Sequence, residues 1–488
     1  MPLPVGPAAV MGFYFFPRGG SAQVARYLCR ALAGGPWDPM LFAGSLGTAA
    51  EYANAGRFFG GVRCRSLDYT PAAERWADGD DPMSVAVPMH ASYEDKPGVP
   101  DRIFVDLDDA AFARQVHSWT QLIAEHTVTA PSVVHLHHLT PIHEAVRALW
   151  PGVPVITHLH GNELKMLMSV QDGTIPDHPS RFSARWVERM QRWAGDSDRL
   201  VAISAHNHQL ALELLHVEPA RVTTIANGVD TEMFSPPARS TAQRLTQWKR
   251  WLVDDPRGWW AGGAEGSISY DSDDLAAFTD EAGQPAPVVV FAGRFMRFKR
   301  VPLLIEAHQS MRSTTGCRSV LVVAGGFPGE WEDEHPYDTV RRLGAEDVFF
   351  VGWRDHDELA EILRCSDVFA APSVDEPFGL VYLEAMAAGL PPIATNTGGP
   401  ASFINVDPAQ PTGWLVPPDD VAATAHALAE AVADPVVRRA RGNRAALFVR
   451  ERYSWSSSAA QLAELYQEVV NERARRPHEH DPNLKPPL

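Results

Sequence analysis

Residues Pro372 to Gly399 read PSVDEPFGLVYLEAMAAGLPPIATNTGG. A short loop, Pro372-Ser373-Val374-Asp375-Glu376, sets a carboxylate beside Pro377. A turn at Phe378-Gly379-Leu380 opens a compact predicted helix carrying Val381, Leu383, Ala385, Met386 and Ala388, which stops at Gly389. Glu376 precedes this helix and Glu384 falls in its second turn. The start of such a helix presents unpaired backbone N–H groups and the positive end of the helix dipole, a pairing that suits a phosphate. The two carboxylates are acceptors, and acceptors at a phosphate site make most sense as partners for ligand hydroxyls. A nucleotide sugar carries both kinds of group.

Two other stretches repeat the pattern of buried strand, loop and helix start. Val288 to Ala292 (VVVFA) is a fully apolar strand followed by Gly293-Arg294, then Lys299-Arg300 and a helix from Pro302 to Met311. Arginine grips two phosphate oxygens at once and lysine supplies a point charge, so Arg294 and Lys299 fit a diphosphate. Val10 to Phe16 (VMGFYFF) runs into Pro17-Arg18-Gly19-Gly20-Ser21, and Val24, Ala25, Leu28 and Ala31 then share one helical side. Gly19 and Gly20 make a tight turn, or let backbone approach a ligand without side chains in the way. Strand, glycine turn and helix in this order open a doubly wound α/β domain.

A chain of 488 residues is expected to hold two domains of ordinary size. It contains no run of about 18 apolar residues, so no transmembrane helix is expected. The start, MPLPVGP, lacks the basic and apolar regions of a secretory signal. Cys29, Cys64, Cys317 and Cys365 fit no zinc or redox spacing and read as reduced cytoplasmic side chains. A net charge of -17 argues against nucleic acid and anionic membrane as partners. The enrichment in Ala, Arg and Pro fits a GC-rich bacterial source. The segment around His90, Tyr93, Glu94 and Asp95 is polar and reads as a solvated surface loop, with an acceptor loop as the alternative. His135, His137, His138, His143 and His158 are too irregularly spaced to read as a metal cluster.

The stretch from Glu376 to Glu384 resembles the E-x7-E donor motif of retaining glycosyltransferases with the GT-B fold, family four in particular. Further segments match in order: PRGG at Pro17 to Gly20, HLHGNE at His158 to Glu163, NGVD at Asn227 to Asp230, and AGRFMRFKR at Ala292 to Arg300. The resemblance implies two doubly wound Rossmann-like domains facing each other across a cleft. It places an acceptor domain over residues 1–230, a linker or insertion over 231–286 and a nucleotide-sugar domain over 287–454. A closing helix near 455–471 packs back on the first domain, and 472–488 is expected to be a disordered tail. The insertion, with Trp248, Trp251, Trp259 and Trp260, has three open readings: a cover for the cleft, a dimer contact, or no specific role.

The same resemblance implies the chemistry. Glu384 holds the ribose hydroxyls and Glu376 the transferred sugar, with His160 at the histidine that contacts that sugar. Backbone amides of Phe378, Gly379 and Leu380 bind sugar hydroxyls and phosphate. Gly19 and Gly20 meet the diphosphate across the cleft, and Arg294 and Lys299 neutralise it as it leaves, doing the work of a divalent metal. The expected activity is metal-independent transfer of a hexosyl group, with retention, from a UDP- or GDP-linked sugar to a small soluble acceptor. No cofactor is expected beyond that co-substrate, and the chain is read as a monomer or homodimer. Alternatives are a polysaccharide-building transferase and, less favoured, a nucleotide-sugar epimerase of the same fold.

Overall fold

The computed structural model describes residues 8–94, 98–175, 182–235, 239–280 and 282–475. Two all-parallel sheets organise them. The first holds β1 (Ala9–Phe13), β2 (Pro39–Ser45), β3 (Cys64–Asp68), β4 (Val133–His137), β5 (Val155–Leu159), β6 (Arg199–Ala202) and β7 (Val222–Thr224), in the spatial order β3-β2-β1-β4-β5-β6-β7. The second holds β8 (Val288–Ala292), β9 (Val320–Ala324), β10 (Val348–Gly352), β11 (Val368–Ala370), β12 (Pro392–Thr395) and β13 (Trp414–Val416), in the order β10-β9-β8-β11-β12-β13. β1, β4, β5, β8 and β9 are buried at every position, as strands covered by helices on both faces must be.

In each sheet the strand order reverses once, between β1 and β4 and between β8 and β11. Open parallel sheets bind ligands outside the carboxyl ends of their strands at such a reversal. The loops that leave these four strands carry Arg18 to Gly20, His138, Gly293 to Lys299, and Pro372 to Glu376. The predicted GT-B architecture is therefore present, with both switch points at one cleft.

The helix Trp455–Arg475 leaves the second sheet's domain and packs on the helix Gly20–Leu32 of the first. Trp455 stacks on Tyr27 with ring centroids 5.2 Å apart, and the Tyr466 hydroxyl lies 2.6 Å from Nδ1 of His135 in β4. This helix runs past the expected end. Glu472 and Arg473, assigned to a disordered tail, are helical because Arg199 donates to Glu472 at 2.6 Å and Arg473 lies 3.7 Å from Asp198. The rest of that tail, 476–488, lies outside the described residues.

The segment 231–286 is not a peripheral linker. Trp248, Trp251, Trp259, Ile268 and Phe278 are buried in one cluster with all five residues of β8. The helix Thr241–Lys249 starts on a capping box between Ser240 and Gln243. The Tyr270 hydroxyl accepts the Phe350 amide at 2.9 Å, and Arg354 donates to the Trp251 carbonyl at 3.2 Å. Tryptophans spaced without helical period still bury when loop and short helix alternate, which periodicity alone does not register. Asn162–Gln171 is a helix that follows directly on the loop after β5. Two outcomes are expected. Trp251→Ala lowers the unfolding free energy of the second domain by about 3–5 kcal/mol, the usual cost of emptying a buried aromatic site, as read by urea unfolding.

The other concerns pH. His143 and His308 are buried; Thr140 and Thr157 bond both nitrogens of the His143 ring, whereas His308 bonds Ser319 through Nε2 and leaves Nδ1 without a partner. Burial pushes their pKa down to about 4 and about 3. The unfolded chain takes up these protons near pH 6.5 while the folded chain refuses them, so stability is lost as pH falls from about 6.5 toward about 3. Unfolding free energies from urea denaturation between pH 7 and pH 4.5 should fall below about pH 6.5, the slope approaching roughly 1.4 kcal/mol per pH unit for each such histidine.

Candidate active site

The cleft between the sheets encloses about 410 Å³ and is lined by residues of both domains. Gly19, Gly20, His160, Arg294, Lys299, Glu376, Phe378, Gly379, Leu380 and Glu384 all line it. The helix Leu380–Ala387 points its start at this space. Its N-cap, Gly379, sits at φ 87°, where a Cβ would come within 2.6 Å of the Tyr382 ring, and no side chain caps it. The Tyr382 amide donates to the Gly379 carbonyl at 3.0 Å, and the N–H groups ahead of it in the first turn have no side-chain acceptor. Gly19 sits at φ 77° with open space at its Cβ position and caps the helix Gly20–Leu32, again without a side-chain hydrogen bond.

Among the described residues, Lys299, Glu376, Glu384, Arg294 and Arg18 are each already paired. Lys299 donates to Glu376. Nε2 of His356 donates to Glu384 at 2.8 Å, and Nδ1 of the same ring lies 3.4 Å from the Tyr27 hydroxyl of the first domain. Arg294 donates with both terminal nitrogens to Glu94 at 3.2 Å and approaches Glu330 at 3.7 Å. Arg18 donates to Glu330 at 3.2 Å and to Asp101 at 3.1 Å. Two of these pairs, Arg294–Glu94 and Arg18–Glu330, cross between domains. Burial pulls the Arg294 guanidinium down, but Glu94 and Glu330 outweigh it and hold its pKa above the ordinary value. Lys165, from the helix Asn162–Gln171, sets its ammonium 3.4 Å over the Phe298 ring. Burial pushes this lysine down to about 8, against the opposing pull of Glu376.

The polar segment before β4 needs correction. His90 and Tyr93 are buried and Glu94 faces the cleft, so this is a cleft wall and not a solvated surface loop. Aromatic packing accounts for it: His90 meets Tyr14, Phe15, Phe16 and Tyr69, and Tyr93 meets Phe15 and Phe104. Asp95 lies outside the described residues.

His160 closes a column of imidazoles. Its Nε2 lies 2.9 Å from Nδ1 of His137, and beyond it the ring nitrogens of His135, His137 and His158 all lie within 4.8 Å of one another, buried. Strand register, which sets His137 beside His158, gathers residues whose sequence spacing looks irregular. Burial first, then the neighbouring histidines, hold His137, His158 and His160 well below the usual histidine pKa, hence neutral. Sequence reasoning missed Glu330 and His356 as cleft residues, since each depends on which loop lies across from it. His138 and Glu163 were legible in part, because both follow the carboxyl ends of strands.

Two facing Rossmann-like domains with this cleft define a GT-B glycosyltransferase. Comparisons with known proteins agree. The model of Glycosyltransferase Family 4 matches residues 18–233, and that of Glycosyl transferases group 1 matches residues 277–448. The chain is 30% identical over 353 residues to the D-inositol 3-phosphate glycosyltransferase of Stackebrandtia nassauensis, covering 71% of this chain and 70% of that protein. Among solved structures, sucrose-phosphate synthase from Thermosynechococcus elongatus superimposes with a TM-score of 0.65 at 19% identity, over 95% of this chain and 99% of that one. Anabaena Alr3699/HepE in complex with UDP-glucose gives a TM-score of 0.61 at 15% identity, over 94% of this chain and 99% of that one. The chain belongs to glycosyltransferase family 4. No helix among its described residues is long and apolar enough to cross a membrane.

Glu94 stands where an anionic ligand of Arg294 would compete with it. Glu94→Gln should therefore tighten binding of inorganic pyrophosphate by about two- to fivefold, the worth of a part-exposed ion pair, measured by calorimetry at low salt.

Proposed function

We propose that this chain transfers a hexosyl group from a nucleotide-diphosphate sugar to a small soluble acceptor with retention of configuration and without a metal ion. One observation carries the reading: an uncapped helix start, two carboxylates and two cations converge on a single cleft. The helix start and Arg294 and Lys299 provide for a diphosphate, and Glu376 and Glu384 provide for hydroxyls. The neighbour solved with UDP-glucose supports this choice of donor class. Those named for an inositol phosphate and for sucrose phosphate support a small polyhydroxylated acceptor.

In the reaction, Arg294 and Lys299 stabilise the charge that grows on the leaving diphosphate, the service a metal performs in other transferases. For this the phosphates displace Glu94 from Arg294 and share Lys299 with Glu376. Glu376 then positions the sugar, and Glu384 turns from His356 toward the ribose. Retention proceeds on one face of the sugar, with the departing phosphate accepting the proton of the incoming hydroxyl. Glu376 is a positioning group in this scheme because Lys299 already engages it from the donor side. Closure of the domains excludes water and so disfavours hydrolysis.

A thermal-shift series against UDP- and GDP-sugars tests the reading, since a ligand that binds only the folded chain raises Tm by mass action. One nucleotide sugar should stabilise the wild type. Glu384→Ala should lose at least about tenfold in affinity for it, the equivalent of a charge-assisted hydrogen bond. An unchanged affinity would remove Glu384 from the ribose site, and silence toward every nucleotide would sink the donor class.

A further inference from the structure

β4 ends at His137, and the next residue, His138, is held at φ 67°, in the left-handed region. A residue with a Cβ occupies that region at a cost, and residues so held cluster where ligands bind. Its amide donates to the His158 carbonyl at 2.8 Å, which fixes the backbone at the carboxyl end of the sheet. The ring is 1% exposed and still lines the cleft.

Nδ1 of His138 lies 2.9 Å from Oε2 of Glu163, a carboxylate with no exposed surface. The other oxygen of Glu163 accepts the His160 amide at 2.7 Å. A carboxylate accepting on both oxygens selects the tautomer whose proton sits on Nδ1. Nε2 then carries the lone pair, and it has no hydrogen-bond partner in the protein. The His138 ring packs among other rings, with centroids 5.2 Å from Phe15, 5.6 Å from Tyr93 and 4.4 Å from His160, and Tyr93 spends its hydroxyl on the Leu139 carbonyl at 2.7 Å. A strained backbone, a buried carboxylate and an unpaired buried nitrogen on a residue that lines the cleft together cost stability that packing does not explain.

Resting on the transferase reading above, we propose that His138 binds the acceptor, its Nε2 accepting a hydrogen bond from an acceptor hydroxyl. Glu163 is the positioning residue that fixes the ring and its tautomer. A lone pair in that place selects a hydroxyl and not a phosphate, which brings no hydrogen to donate. His138 and Glu163 belong to the first domain, opposite Glu376 and Lys299 of the second. In the transfer, the acceptor oxygen bonds to the anomeric carbon and the bond from that carbon to the phosphate oxygen breaks. Its electron pair stays on the diphosphate, which also takes the hydroxyl proton. His138 holds the hydroxyl and exchanges no proton.

His138→Asn tests the assignment, because Asn tolerates positive φ better than most residues and its short amide falls short of the Nε2 position. Glu163→Gln keeps the shape but turns an N–H toward one of two donors. Donor affinity is measured by thermal shift with UDP-glucose and GDP-mannose. Transfer is measured to a mixture of myo-inositol, glucose, fructose and their monophosphates. In both variants the donor affinity should stay within about twofold of wild type while transfer falls by about tenfold or more, with KM for the acceptor raised. If nothing in the mixture is glycosylated, release of nucleoside diphosphate into water is read, and the same fall is expected. Wild-type transfer by a folded His138→Asn chain overturns the proposal alone. Loss of donor affinity together with transfer also overturns it, by moving His138 to the donor. A wild-type chain that binds neither donor overturns the proposal together with the reading beneath it.

Discussion

A guanidinium partly removed from water has to find an anion, and Arg294 finds Glu94 on the opposite domain at 3.2 Å. Arg18 answers from the first domain by reaching Glu330 on the second at 3.2 Å. These two crossed pairs hold the domains together over a space whose chemistry calls for another anion. The arrangement is self-consistent, because the groups that neutralise the cleft in the free protein are carboxylates that a diphosphate, with more charge in one place, can replace. The same contacts that close the cleft hold Arg18, Arg294 and Lys299 along its wall.

The remainder of the structure serves to bring the loops bearing these groups to one place. Each sheet reverses its strand order once, and all four loops at the reversals open on the cleft. The closing helix then returns to the first domain, where Trp455 stacks on Tyr27 and Tyr466 meets His135. Tyr27 also approaches His356, which holds Glu384, so two side chains connect the closing helix to a cleft carboxylate. Neutral, stacked histidines run from Tyr466 to His160 and join that anchor to the cleft wall. Domain closure and site geometry are thus coupled through shared side chains, with Phe298 under Lys165 as a further link.

The fold was legible because its signal is local. A five-residue apolar strand followed by glycine and a helix start states its own structure, and that unit recurs at Val10 and Val288. The site residues on such units were legible for the same reason, and Gly379, Glu384, Arg294 and Lys299 all line the cleft. Where periodicity fails, reading failed too. The tryptophans between Trp248 and Trp259 looked like an insertion and instead complete the second core. Glu94 looked solvated because polar residues surround it in sequence, whereas aromatic rings surround its neighbours in space.

The sequence by itself determined the two Rossmann-like units, the short helix that carries Glu384 and the cations after β8, since each depends on residues close together in the chain. Only the tertiary structure decided which anion each cation faces, which histidines share a column, and that Glu163 orients His138. Those facts depend on strand register and on how two domains meet. A contact such as Arg294 to Glu94, 200 positions apart, leaves no periodic trace in the chain.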